Sequence, residues 1–259
     1  MINRKRDVIG KAIKQALFDC LKKLIIIMKA YKCILFKKSL DRVVYFELKD
    51  KELVYVVNSK CACSSIKSTL MKSVGVDNNF DNYRDIHDLG RQFSKNNIHD
   101  TKKFYFSFVR NPYERLVSLY VNKFEDRKKI TSVGFEYEFY LGGILKQSMS
   151  FLDFCKTIET IPNELFERHF KPQYLLLKEE SAKLDFVGKL ENIKDDWSFL
   201  VKKYGLENLE HHNVSPKYNY AEYYTVESFE VISRMYKRDV DHFGYQEEEN
   251  RLKSYLELI

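Results

Sequence analysis

A three-layer α/β fold, with a central and mainly parallel sheet between helices, is what this sequence predicts. Three observations carry the prediction. Phe104–Val109, "FYFSFV", is apolar on both faces, as a central parallel strand would be. Leu53–Val57, "LVYVV", runs straight into "NSKCACSSIK", Asn58–Lys67, and then into a helical segment, so strand, tight turn and helix follow one another. Strand and helix patterns alternate along most of the chain, which places a ligand at the carboxyl ends of the strands.

Taken in order, the first element is basic. Residues 1–40 carry eleven Lys/Arg against two Asp, a net of +9, whereas the whole 259-residue chain has +7, leaving −2 for residues 41–259. The main domain therefore lacks the electrostatic footprint of a nucleic-acid binder. Ile9, Ile13, Leu17, Leu21, Leu24 and Met28 recur at helical spacing between lysines. Lys29 and Lys32 interrupt the apolar run "LIIIM", so it falls short of the ~20 apolar residues that span a bilayer, and no small-residue cleavage site follows. Two readings of 1–40 stand side by side: a helix lying on an anionic membrane surface, and a helix docking its apolar stripe on the domain.

Val43–Leu48 and Leu53–Val57 read as a hairpin across "KDKE". Ser64–Val74 is expected to be helical, and Asp77–Asp100 part helix and part loop. After the Phe104–Val109 strand, "NPYERLVSLYVNKF" starts a helix with Pro112 in its first turn. Phe151–Ile158 and Leu165–Phe170 read as helical pieces of a variable region. Leu184–Val187 reads as a short strand turned by Gly188 into a helix holding Trp197 and Leu200, with Trp197 in the core. Val226, Phe229, Ile232, Tyr236 and Val240 space a last helix that stops at "FGY", Phe243–Tyr245. Five cysteines are an odd set, two of them in one loop, which argues against a disulfide framework and for a reducing compartment.

The chemistry sits in two turns. In the first, Cys61, Ala62, Cys63, Ser64 and Ser65 are small enough for an anion to approach free backbone N–H groups at a helix start, and Lys60 and Lys67 add charge. The loop lacks the glycines of G-x-x-x-x-G-K-[ST]. An ordinary capped helix is the plain alternative, and a Cys-x-Cys metal site lacks the other two ligands of tetrahedral zinc. In the second turn, Arg110 ends a buried strand and Ser118 lies two helical turns on, a pair able to grip a second phosphate. The alternative is an arginine capping the sheet edge through a carboxylate.

These two stretches resemble the 5′-phosphosulfate loop and the 3′-phosphate motif of carbohydrate sulfotransferases. "RHFKPQ" (Arg168–Gln173), "DFVGKLENIKDDW" (Asp185–Trp197) and "FGY" are similar to later motifs of that family, in the expected order from Leu53 to Tyr245. The resemblance implies the sulfotransferase variant of the phosphate-loop fold over residues 41–259. It also implies the donor 3′-phosphoadenosine-5′-phosphosulfate (PAPS) and a carbohydrate hydroxyl as acceptor, on a surface or capsular polysaccharide or a lipid-linked glycan.

Carried over, Lys60 would contact the bridging or sulfuryl oxygens, residues 61–67 with Ser64, Ser65 and Lys67 would hold the 5′-phosphate, and Arg110 and Ser118 would hold the 3′-phosphate. Ser59 replaces the usual proline, and Ser64 the usual threonine. The group transferred bears one negative charge, so no metal is required. A general base is needed. His87, between the two motifs, is the first candidate, and His169 in "RHFKPQ" the second. His211 and His212 precede a loop expected near the nucleotide; His99 and His242 read as solvent or packing residues. Glu191 is expected to orient its turn or to bind acceptor. The other readings are a phosphate-loop kinase or NTPase and an inactive glycan- or membrane-binding module. The expected setting is cytoplasmic, peripheral at the membrane.

Overall fold

The structure, a computed structural model, describes residues 2–76, 83–95, 100–125, 137, 139–146, 149–177, 184–209 and 219–257, with only the backbone for 2–12, 83–85 and 87. The elements are α1 (Ile2–Leu35), β1 (Tyr45–Leu48), β2 (Leu53–Val56), α2 (Cys63–Lys72), α3 (Tyr83–Gly90), β3 (Ser94–Lys95), β4 (Phe104–Val109), α4 (Pro112–Tyr120), α5 (Phe151–Glu159), α6 (Gln173–Leu177), β5 (Phe186–Lys189), α7 (Ile193–Tyr204), α8 (Val226–Phe243) and α9 (Gln246–Tyr255).

Among the described residues the strands form one sheet in the order β3-β1-β2-β4-β5. β2 pairs parallel with β4 and β4 with β5, whereas β1 is antiparallel to both β2 and β3. Only β1 therefore points against the other four, and the mainly parallel sheet expected from the sequence is present.

Period-two patterning makes the three layers. Leu53, Tyr55, Phe106 and Phe108 pack on one face against Ile66 and Leu70 of α2, Ile86 of α3, and Trp197 and Leu200 of α7. Val54, Val56, Tyr105 and Val109 pack on the other against Leu116 of α4, Phe154 of α5 and Ile232 of α8. Alternate residues of one strand thus feed two cores, which is why no polar alternation is visible in "LVYVV" or "FYFSFV". β4 and α4 begin and end close to their expected bounds: Pro112 opens α4, and the Asn111 side chain caps it by accepting from Tyr113 N–H at 3.0 Å.

Three expectations need correction. Leu165–Phe170 is not a helix. A 3₁₀ turn closes at Leu165, and the helix starts after Pro172 as α6, because Pro172 suits a helix entry and the Asp239 carboxylate on α8 accepts from Gln173 N–H at 2.8 Å and Tyr174 N–H at 2.7 Å. The last strand is shifted two residues on, to Phe186–Lys189. The chain also continues past "FGY" into α9, whose Glu249 accepts a hydrogen bond from Tyr113 OH at 2.7 Å.

Gly188 shows how tightly the sheet is covered. A Cβ there would lie 2.4 Å from Cε1 of Phe108, and that ring is held by Trp197, 6.1 Å away between centroids. Gly188→Ala should therefore lower stability by ~1–3 kcal/mol through overpacking, read as a lower urea midpoint at unchanged m-value.

Candidate functional site

The chain between β2 and α2 folds without glycine, yet two of its residues, Lys60 (φ 68°) and Ala62 (φ 54°), take the left-handed conformation. Each costs about 1–2 kcal/mol for a residue with a Cβ, and such strain gathers at binding sites. Ala62 is the N-cap of α2 and brings no side-chain oxygen to its first turn, so the positive end of the helix is left to other acceptors.

The predicted loop residues then divide. Cys61 turns inward: its thiol donates to Gln173 Oε1 at 3.3 Å, and burial pushes its pKa up to about 12, so it can offer only backbone outward. Ser64 and Ser65 are buried in the first turn of α2, beside half-buried Cys63. Lys67 is only 7% exposed, and no described group accepts a hydrogen bond from it or pairs with it. Burial depresses its pKa, with the Arg168 charge acting in the same direction and Cys63 against.

Lys60 donates to Asn122 Oδ1 at 3.0 Å. Its pKa is pulled down to about 7, first by burial, then by Lys123, with Arg110 and Arg115 adding to it and Cys63 opposing.

The second turn follows β4. Arg110 donates through Nη2 to Glu114 Oε1 at 2.7 Å and through Nη1 to Lys60 C=O at 3.4 Å. The carboxylate partner named as its alternative is thus present, and the same guanidinium touches the first loop. Its backbone is pinned on both sides by Gln173, which accepts from Arg110 N–H at 3.0 Å and donates to Arg110 C=O at 2.8 Å. Glu191 reaches beyond its own turn and the next helix: it accepts from Asn111 N–H at 2.6 Å and from Tyr245 OH at 3.0 Å. Ser118 lies between Arg115 and Asn122 on the helix face turned to the first loop. Asn122 belongs to a π turn, Val121–Glu125, that continues α4.

Four residues that the sequence reading passed over hold these parts together. Arg115, 1% exposed, donates to Ser59 C=O at 2.9 Å, Lys171 C=O at 2.9 Å and Arg168 C=O at 2.7 Å. Gln173 also accepts from Asn58 Nδ2 at 3.0 Å, and Asn58 donates to Phe108 C=O at 2.9 Å. Asn58 and Gln173 stand inside the stretches that attracted attention, "NSKCACSSIK" and "RHFKPQ". Arg115 and Asn122 stand inside "NPYERLVSLYVNKF" as well, but nothing in that helical pattern marks which of its polar side chains turn to the first loop.

His169 sits beside this frame. Its Nδ1 lies 2.6 Å from Glu167 Oε1, its N–H donates to Glu167 Oε2 at 3.1 Å, and Tyr137 OH donates to the same oxygen at 2.8 Å. Burial pushes the Glu167 carboxyl up, but the His169 charge and hydrogen bonds, with that of Tyr137, outweigh it and hold its pKa below the ordinary value. His169 lines a cleft of about 350 Å³ with Ile26, Lys29, Leu40, Asp41, Glu167 and Arg168. Because Arg115 bridges Ser59 and Arg168, this cleft adjoins the first loop. His87 falls on α3 with its side chain outside the described residues, and His99, His211 and His212 lie outside them altogether. His242 packs against Tyr174 and Phe243, and Trp197 is in the core, its Nε1–H donating to Glu207 C=O at 3.0 Å.

A model of the sulfotransferase family matches residues 45–246. Among curated proteins, carbohydrate sulfotransferase 11 of Rattus norvegicus is 26% identical over 247 residues, covering 81% of this chain and 67% of that protein. Carbohydrate sulfotransferase 14 of Danio rerio is 24% identical over 174 residues, 60% of this chain and 47% of its own length. Carbohydrate sulfotransferase 12 of Xenopus laevis is 25% identical over 121 residues, 40% of this chain and 29% of its own. The matches to the latter two thus span less than half of those proteins. No solved structure is a significant match.

The Lys60 pKa has a measurable consequence. At pH 8 its amine is mostly neutral, and an anion bound beside it restores the charge, so binding should take up a proton. By linkage, anion affinity should fall as pH rises above about 7, approaching tenfold per unit. Titration calorimetry with adenosine 3′,5′-bisphosphate in two buffers of different ionisation enthalpy should show this uptake, and Lys60→Met should reduce it.

Proposed function

Because the chain belongs to the sulfotransferase family, we propose that it moves a sulfuryl group from PAPS to a carbohydrate hydroxyl, with His169 as the base. The observation that carries the donor assignment is the gathering of cations at the strained turn before the uncapped start of α2: Arg110 donates to Lys60 C=O at 3.4 Å, Arg115 to Ser59 C=O at 2.9 Å, and both guanidinium groups help to pull the Lys60 pKa down. Such a place is stable when an anion fills it. The fit extends to the second turn, where Arg110 and Ser118 face the same loop.

In this reading Ser64, Ser65, Lys67 and the backbone of 61–65 hold the 5′-phosphate. Arg110 and Ser118 hold the 3′-phosphate, with Glu114 releasing or sharing the guanidinium. PAPS supplies the sulfuryl group and departs as the bisphosphate nucleotide. Lys60, held by Asn122, balances the charge that grows on the departing oxygen, and its low pKa in the empty loop means that the incoming charge itself protonates it. His169 takes the acceptor proton at Nε2 as the oxygen–sulfur bond forms. Glu167 fixes the ring through Nδ1 and stabilises the imidazolium, the arrangement that general bases share. This pairing is why we favour His169 over His87. The names of the relatives support a carbohydrate acceptor.

The donor is tested by thermal shift. Adenosine 3′,5′-bisphosphate at about 100 times its dissociation constant should add ~2.7 kcal/mol of stability, ADP and ATP much less, and Arg110→Ala should erase the difference. Equal stabilisation by ATP would move the reading to a kinase or NTPase, and no response to any nucleotide to a binding module. For the base, His169→Ala should lower kcat by about 10²–10⁴-fold while leaving the bisphosphate shift intact. Near-normal turnover in that variant, with loss in His87→Ala, would return the role to His87.

A further inference from the structure

The helix α1 has two faces, and the domain uses one. Ile26, Ala30 and Cys33 turn inward: Ala30 and Cys33 are buried, Ile26 lines the His169 cleft, and Lys22 lies 4.8 Å over the ring of Phe139. Half a turn round, Leu17, Leu21, Leu24, Met28, Tyr31 and Leu35 form a stripe at spacings of four and three, each between 53% and 67% exposed. Phe18, Ile25, Ile27 and Ile34 flank it and are also about half exposed. At 100° per residue the apolar arc is roughly 200° wide.

An uncovered apolar surface of this extent marks an interaction site, and two facts select the occupant. The positions beside the stripe, which carry charges in a two-helix coiled coil, are here mostly Phe and Ile, so the arc is wider than a paired-helix seam. Residues 13–38 also hold seven lysines and a single acid, Asp19. A second copy would set seven lysines against seven, whereas an anionic surface complements them. Lys23 and Lys29 bound the arc on its two sides, and Lys14 and Lys32 stand within it between Leu21 and Ile25 on the helical wheel, where a long side chain can reach up to headgroups while the apolar residues sink below them. No helix among the described residues is long and apolar enough to cross a membrane.

We propose that α1 lies flat on an anionic lipid surface, its outward stripe in the acyl boundary and its inward face carrying the domain. If the sulfotransferase reading holds, the His169 cleft, walled by Ile26 and Lys29, then opens beside the headgroups.

The test is sedimentation of the full chain with vesicles of phosphatidylcholine alone or with 30% phosphatidylglycerol. Binding should be at least tenfold tighter to the anionic vesicles and weaken in high salt. It should drop at least tenfold in the double variant Leu24→Glu/Met28→Glu and in Lys14→Glu/Lys32→Glu. These positions face away from the domain, so both variants should keep the wild-type thermal shift with adenosine 3′,5′-bisphosphate. That readout separates failure of this inference from failure of the donor assignment. If the apolar variant does not fold, the lysine variant decides. Equal binding to both vesicles, or none, overturns the inference. So does a concentration-dependent dimer in sedimentation velocity, broken by Leu24→Glu/Met28→Glu, in a chain that ignores vesicles; the covered face would then belong to a second copy.

Discussion

Arg115 donates three hydrogen bonds, all to backbone carbonyls, and in doing so joins two segments more than fifty residues apart from it: the turn at Ser59 and the bend from Arg168 to Lys171. Hydrogen bonds from a charged donor are each worth about 1.5–3 kcal/mol, and a buried carbonyl deprived of its partner costs a similar amount. The cation is also buried beside others, since Lys60 feels both Arg115 and Arg110. The site is thus assembled around positive charge before any ligand arrives. In the proposed function an entering anion would find donors already oriented and relieve repulsion already present, which is electrostatic preorganisation. Because the same guanidinium positions the bend that leads to His169, the anion loop and the cleft share one anchor.

Around that anchor lies a neutral lattice. The Gln173 amide spends its oxygen on Asn58, Arg110 and Cys61 and its nitrogen on Arg110 C=O. Gln173 in turn is held by Asp239, whose pKa is raised to about 6 by burial against the opposing pull of the Tyr174 and Gln173 N–H groups and of Arg115. The lattice therefore runs from the β2 turn through the β4 turn and α6 into α8. Glu191 adds a tie from the end of β5 to Asn111 and to Tyr245. Three parallel strands thus have their carboxyl ends fastened to each other by side chains as well as by the sheet.

Much of the fold was legible because it rests on local patterns. "FYFSFV" and "LVYVV" are strands buried on both faces, and Pro112 after Asn111 marks a helix start; both signals act within a few residues. What escaped depends on distance along the chain. β3 is a two-residue edge with no apolar signature, and α9 shows a polar sequence that buries little besides Leu252 and Glu249. Leu165–Phe170 has apolar residues that fit a helix, but Pro172 and the distant Asp239 decide where the helix begins. For the site, small residues and cations in two turns were visible. Their supports were not: an arginine bonded to main-chain oxygens can come from any sequence, and the pairing of His169 with Glu167 gains its meaning from Tyr137, thirty residues earlier.

The glycine-free turn after β2 also bears on selectivity. Glycine would enter the left-handed region at no cost, and would let the loop leave it as easily. Lys60 and Ala62 reach that region only because their surroundings hold them there. A loop shaped under such constraint behaves as a gauge of fixed bore, whereas a glycine loop behaves as an adjustable clasp. If the donor reading holds, such a loop suits a phosphate group of one size and one angle of approach and resists remoulding around a longer polyphosphate. Drift of its residues toward glycine would ease folding while blurring that measurement.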